Sequence, residues 1–272
     1  MGEAALNTVF AANRAKGRVN LSVAAAHGRT RRQHVYEDGP LRVRFPNVMG
    51  GALEAVVCNT AGGTAGGDRH DLTVVVEHGS RLTVTTAAAE RIYRALGPAA
   101  EVAVTLTVGA KARLLWLPQE TILFDRAKLQ RRIDVDLAPG ASLLMAEAIV
   151  FGRSAMGEAV EQGAFTDRWR VRREGRLLFA ETLQLEGTVA QCLAKRAIAN
   201  GGAAVATVLA VPGDQNMVER VRAQTFCGEA GISAWNGLAV ARLCAKDGAS
   251  LRRDLVTVIV AMNGALPRLW LS

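Results

Sequence analysis

Four times in its middle the chain runs an alternating apolar stretch into a glycine turn and then resumes it. The turns read EHGSR at Gly79, TVGAK at Gly109, APGAS at Gly140 and REGRL at Gly175, at spacings of 30, 31 and 35 residues. Val102, Val104, Leu106 and Val108 share one parity, and so do Ile133, Val135 and Leu137. A period of two is the signature of a half-buried strand, because successive side chains leave opposite faces of the pleat. Regular strands between regular turns restrict the chain to a β-sandwich, a barrel or a stacked-strand solenoid. The units are too dissimilar for a strict repeat protein.

The remaining elements follow from the same signals. Arg18–Ala26, Arg42–Phe45, Ala52–Cys58, Leu72–Glu77 and Arg81–Thr86 read as strands, and Pro46, Asn47, Gly50 and Gly51 as a turn. Ala87–Arg94 has the composition of a short helix. Beyond residue 200 the texture changes. A strand over Ala203–Val211 is closed by Pro212-Gly213-Asp214, helices are expected over Asn216–Phe226 and Ala249–Met262, and Leu238–Cys244 is a further strand. No Pro/Ser-rich spacer interrupts the chain, so one domain spans 1–272. It has a β-rich body over 18–200, an α+β closing region over 201–272 and a loose segment at 1–16.

Half of the residues are hydrophobic and 21% are charged, which excludes disorder and supplies a large core. The net charge of +8 suits an acidic protein partner, nucleic acid or anionic lipid, and equally serves plain solubility. Cys58, Cys192, Cys227 and Cys244 lie far apart with no CxxC pair, which fits buried thiols in a reducing compartment. Arg14, Lys16 and Arg18 are followed by no long apolar run, so no signal peptide is expected. Leu255–Leu271 is broken by Asn263, Gly264, Pro267 and Arg268, too short to span a bilayer. Cytoplasm is the expected compartment.

The unusual chemistry sits in Gly62–Asp71, where Gly62, Gly63, Gly66 and Gly67 precede Asp68, His70 and Asp71. A phosphate loop requires lysine and a hydroxyl after its last glycine, but Asp68 and Arg69 stand there. A dinucleotide loop requires a following helix, but a strand follows. The plainest reading is a tight connection in which Asp68 accepts hydrogen bonds from loop amides. In an extended segment Asp68 and His70 share a face, and imidazole with carboxylate suits transient binding of nickel or zinc. His27, His34 and His78 show no ligand spacing. Neither GxSxG nor HExxH occurs, and Glu147 with Glu158, or Glu181 with Glu186, could act as acid and base only if the fold joined them. In Phe165–Arg172, Phe165, Trp169 and Val171 share one parity, with Asp167 the exception, while Arg168, Arg170 and Arg172 share the other. Such a strand buries aromatics and displays arginines, to solvent or to an acidic partner. Nucleic acid is less favoured because no aromatics interleave with the charge.

Four phrases carry more: GGTAGGD at 62–68, TTAAAERIYR at 85–94, LPQETILF at 117–124 and GRSAMGE at 152–158. In order and spacing they resemble the urease accessory protein D family, and with the strand pattern the resemblance covers most of the chain. Thr64 and Ala65 replace the family's usual aliphatic pair, and Ala87 its usual glutamine. The resemblance implies a mainly β fold, β-helix-like or layered in antiparallel and mixed sheets, with a few helices toward the C-terminus. It implies a non-enzymatic chaperone that binds accessory protein F directly, the GTPase accessory protein G through F, and apo-urease. Such a complex assists nickel insertion, and no tightly bound cofactor, nucleic acid or membrane is expected. A water-filled nickel passage is also implied, for which Asp68, His70, Asp71, Glu147 and Glu181 are the candidate residues. The alternatives are a metal-dependent hydrolase using Asp68, His70 and a remote carboxylate, and a nucleic-acid-binding module using the basic charge.

Overall fold

The computed structural model describes residues 13–47, 52–153, 156–262 and 264–271. The expected loose segment lies mostly outside these residues, as does the Gly50-Gly51 part of the expected turn.

In chain order the strands begin with β1 (Lys16–Ala26), β2 (Arg29–Asp38), β3 (Leu41–Arg44), β4 (Leu53–Asn59), β5 (Arg69–Val76) and β6 (Arg81–Thr86). They continue with β7 (Glu90–Ile92), β8 (Ala100–Val108), β9 (Arg113–Trp116), β10 (Thr121–Leu123), β11 (Lys128–Leu137) and β12 (Ser142–Phe151). After β13 (Gly163–Arg173) and β14 (Arg176–Gly187) come α1 (Val189–Leu193), β15 (Ala204–Val211), α2 (Gln215–Arg222), β16 (Glu229–Trp235), β17 (Leu238–Ala245) and α3 (Gly248–Ala261).

Two sheets face each other. The front sheet is ordered β14-β13-β11-β8-β5-β1-β2 and the back sheet β16-β17-β15-β12-β9-β6-β4-β3, with β10 between β7 and β12 at its side. From β5 to β13 the chain winds between them as a solenoid-like coil, so that neighbours β5, β8, β11 and β13 are parallel, and so are β6, β9 and β12. The turns at Gly79, Gly109 and Gly140 are the corners of this coil. Gly79 and Gly140 adopt φ of 67° and 69°, where a side chain is strained. The fourth turn, at Gly175, differs. It joins β13 to β14 as an antiparallel hairpin that ends the coil.

The expected helix at Ala87–Arg94 is not formed. Its centre is β7, which pairs in parallel with β10. Thr64 N–H donates to the Arg91 carbonyl at 2.8 Å and Tyr93 N–H to the Thr64 carbonyl at 2.9 Å, so the glycine loop supplies a second ladder. Partners distant in sequence thus override an alanine-rich local propensity. The two C-terminal helices form where expected. Each has an aspartate cap, Asp214 accepting from Met217 N–H at 2.8 Å and Asp247 from Ser250 N–H at 2.7 Å. Met217, Val218 and Val221 of α2, and Leu251, Leu255, Val258 and Ile259 of α3, pack on the back of β12, β15 and β17. Burying each large aliphatic side chain contributes about 1.5–3 kcal/mol.

Between the sheets the apolar core is divided. One cluster contains Leu72, Val104, Ile133 and Trp169, the other Ala100, Leu129, Phe165 and Ile149. A polar layer runs between them.

Candidate functional site

Strand register creates this layer. Gly17, His70, Val102, Arg131 and Asp167 are successive partners across β1, β5, β8, β11 and β13. They occupy inward positions one pleat period from Val19, Leu72, Val104, Ile133 and Trp169, so the side chains of His70, Val102, Arg131 and Asp167 also enter the inter-sheet space. Across from them β12 supplies Glu147, with Thr207 of β15 and then Arg242 of β17 next in its register.

At the centre is a buried ion triad. Arg131 Nε and Nη2 donate to the two oxygens of Asp167 at 3.0 and 2.6 Å, a bidentate pair. Arg131 Nη1 donates to Glu147 Oε2 at 2.5 Å and to Thr121 Oγ1 at 3.2 Å. Trp116 Nε1 donates to Glu147 Oε1 at 2.8 Å and Trp169 Nε1 to Asp167 Oδ2 at 3.0 Å. Arg131, Glu147 and Asp167 are only 7%, 4% and 5% exposed. Burial works against the Arg131 charge, but Asp167 and Glu147 outweigh it and hold the guanidinium protonated. The Glu147 pKa is also raised: desolvation lifts it despite Arg131, and Asp167 adds to the rise. One cation therefore serves two carboxylates.

His70 lies toward the glycine loop and is buried. Thr64 Oγ1 donates to Glu90 Oε1 at 2.6 Å, which commits its proton, and Asn59 Nδ2 donates to the same oxygen at 2.9 Å. Thr64 Oγ1 is then an acceptor for His70 Nδ1, 3.5 Å away. This order places the ring proton on Nδ1 and leaves a lone pair on Nε2, which has no hydrogen-bond partner among the described residues. Desolvation lowers the His70 pKa, only partly countered by Glu90, Asp68 and Asp71, so the ring is neutral at pH 7.

Three cavities follow the layer. A cavity of about 240 Å³ is walled by Cys58, Asn59, Gly62 and Gly63 near the glycine loop and reaches His70, Arg131 and Glu147. A void of about 20 Å³, on the scale of one water molecule, also touches Glu147 and is walled by Asp167, Glu181 and Thr207. A third, of about 440 Å³, shares Glu181, Leu183, Val205, Ala206 and Thr207 with that void and extends to Glu229, Arg242 and Cys244. Glu181 Oε1 accepts from Arg242 Nη2 at 2.9 Å, while its Oε2 has no partner among the described residues.

The five residues singled out in the sequence thus divide. His70, Glu147 and Glu181 line the cavities. Asp68 is buried, and its oxygens accept from Ala15 N–H and Ala65 N–H, both at 2.8 Å, fastening the loop to the chain before β1. Asp71 is exposed on the outer face of β5. Glu158 is held by Arg153 at 2.6 Å, apart from Glu147. On β13, Arg168 and Arg172 face outward, each 3.7 Å from Asp134 of β11, which tempers that basic face. Sequence reasoning missed Arg131 and left Asp167 as an unexplained exception. The available signal was their occupation of inward parity positions, where an unpaired charge is not tolerated.

Among the described residues no group of three or more His, Cys, Asp and Glu is arranged to hold a metal ion. No helix among them is long and apolar enough to cross a membrane. The arrangement offers hydrophilic contacts in sequence rather than one enclosed chelate.

The sequence profile of the UreD urease accessory protein family matches residues 15–271. The chain is 56% identical over 268 residues to "Urease accessory protein UreD" of Rhodopseudomonas palustris (strain BisA53), covering 98% of this chain and 94% of the relative. It is 56% identical over 268 residues to the protein of the same name from Bradyrhizobium diazoefficiens, covering 98% of this chain and 97% of that one. A third relative of that name, from Rhodopseudomonas palustris (strain BisB18), is 57% identical over 267 residues, covering 97% and 96%. With a match of this extent across the whole β body and the closing region, the chain belongs to the UreD urease accessory protein family.

Proposed function

We propose that the chain is a non-catalytic cytoplasmic scaffold of urease maturation. It binds accessory protein F directly and the GTPase accessory protein G through F, and presents them to apo-urease. Nickel is its cargo. The ion passes along the polar layer from the glycine-loop side, by His70 and Glu147, to Glu181. The carrying observation is the row of cavities that share Glu147 and then Glu181 as common walls. The donor set fits the cargo. Imidazole and carboxylate suit a borderline divalent ion, and isolated contacts allow it to leave each one. Asp68 supports the route indirectly by holding the loop at its mouth.

The test is reconstitution. Apo-urease, F, G, nickel, bicarbonate and GTP are combined with and without this chain, and urea hydrolysis is measured. The expected result is activity only when the chain is present, together with a co-purifying complex. Equal activity without it, or no association with F, contradicts the reading.

A further inference from the structure

We propose that Arg131 is a resident counter-cation: by occupying Glu147 and Asp167, it keeps a buried pair of carboxylates from becoming a tight site for a divalent metal ion. The proposal deepens the nickel-passage reading and rests on it.

The triad stands where two cavities meet, since Glu147 is a wall of both. On one side His70, 4% exposed, lines the same cavity as Arg131 and Glu147 and holds an unpartnered Nε2 lone pair. On the other, Glu181 keeps an unpartnered Oε2. Acceptors are therefore open at both flanks and filled at the centre, and what fills the centre is a cation of the protein's own.

Both carboxylates bond the one guanidinium, at 2.5 and 2.6 Å, so an ion taking its place would lie between them and reach them directly or through water. Without Arg131 a divalent ion would be the counter-charge of the pair in a low dielectric, displacing any proton held there, and the ion would be retained. With Arg131 present, an approaching dication meets a fixed positive charge and must displace at least one carboxylate from it. Metal and guanidinium are then competing ligands of one anionic pair. Linkage requires each to weaken the other by the same factor. For a carrier this sign is useful, because a cargo that must leave cannot rest in a deep well. A role confined to stapling β11 to β12 makes a different prediction, in which removing Arg131 loosens the fold and creates no metal affinity.

Nickel binding to the full chain decides between them. Equilibrium dialysis against nickel is run on the wild type, Arg131→Gln and Arg131→Gln/Glu147→Gln, with circular dichroism to confirm folding. The proposal predicts that Arg131→Gln holds close to one additional nickel per chain, at least about tenfold tighter than any wild-type binding, and that the double variant loses it. Nickel should also raise the melting temperature of Arg131→Gln more than that of the wild type. A folded Arg131→Gln with wild-type nickel binding overturns the proposal. If Arg131→Gln does not fold even with nickel, Arg131→Met serves: it keeps an apolar stem and removes the cation, so nickel affinity must rise, and an unchanged affinity in the folded variant overturns the proposal. The passage reading is judged separately, by urease activation. Slowed activation by a nickel-retaining Arg131→Gln supports both ideas, whereas wild-type activation by that variant contradicts the passage and leaves the counter-cation role standing.

Discussion

His70 and Glu147 occupy the same layer, yet their protonation acts on stability with opposite signs. His70 has its pKa lowered by burial, so its contribution is present above the ordinary value of 6.5 and is lost as pH falls through the depressed one. Glu147 has its pKa raised by burial, so its contribution is full below 4.5 and is lost as pH rises through the elevated one. In urea unfolding followed downward from pH 6.5, the wild type should therefore lose stability relative to His70→Gln. An identical slope in the variant would mean that His70 is not the titrating group. Little of this residue-level arrangement was legible in advance. Asp167 stood out as a charge in an apolar parity, but its partner Arg131 lies 36 residues away on a neighbouring strand. Only the register of a parallel ladder brings the two together.

The strands and corners were far more legible, because period two and glycine punctuation are local. The region around β7 was not, since its ladders come from the glycine loop and from β10. That loop is also a place where single substitutions should be felt. Gly63 has φ of +152°, and a Cβ there would meet the Tyr93 ring at 2.5 Å and the Arg91 carbonyl oxygen at 2.8 Å. Gly63→Ala should cost about 1–3 kcal/mol in urea unfolding, the range of a buried steric conflict. Gly28, at φ of +72° with nothing within 4 Å of a Cβ, gives the contrast. Gly28→Ala should cost only the strain of a left-handed residue, about 1–2 kcal/mol. Asp68→Ala strips the Ala15 and Ala65 amides of their acceptor and should cost about 1.5–3 kcal/mol for each charged hydrogen bond. If Asp68→Ala leaves stability unchanged, the loop is not fastened as described.

For the whole molecule, the division of the core joins fold to cargo. Apolar clusters on either side of the layer hold the sheets together, so the layer itself is free to be polar. The mainly β architecture and the C-terminal helices followed from sequence pattern, and the family from a few phrases in register. The family resemblance implied a water-filled passage, but the residue pattern could not show the inter-sheet cavities, because they arise where side chains from strands of both sheets fail to fill the space between them. The central claim is that nickel travels this layer, and Glu147→Gln with Glu181→Gln tests it most directly. Both substitutions keep side-chain size, and Glu147→Gln leaves Arg131 its bidentate partner Asp167. The double variant should assemble with F, G and apo-urease as the wild type does, and activate urease about tenfold or more slowly at limiting nickel. Activation at the wild-type rate by a fully assembled complex would contradict the account.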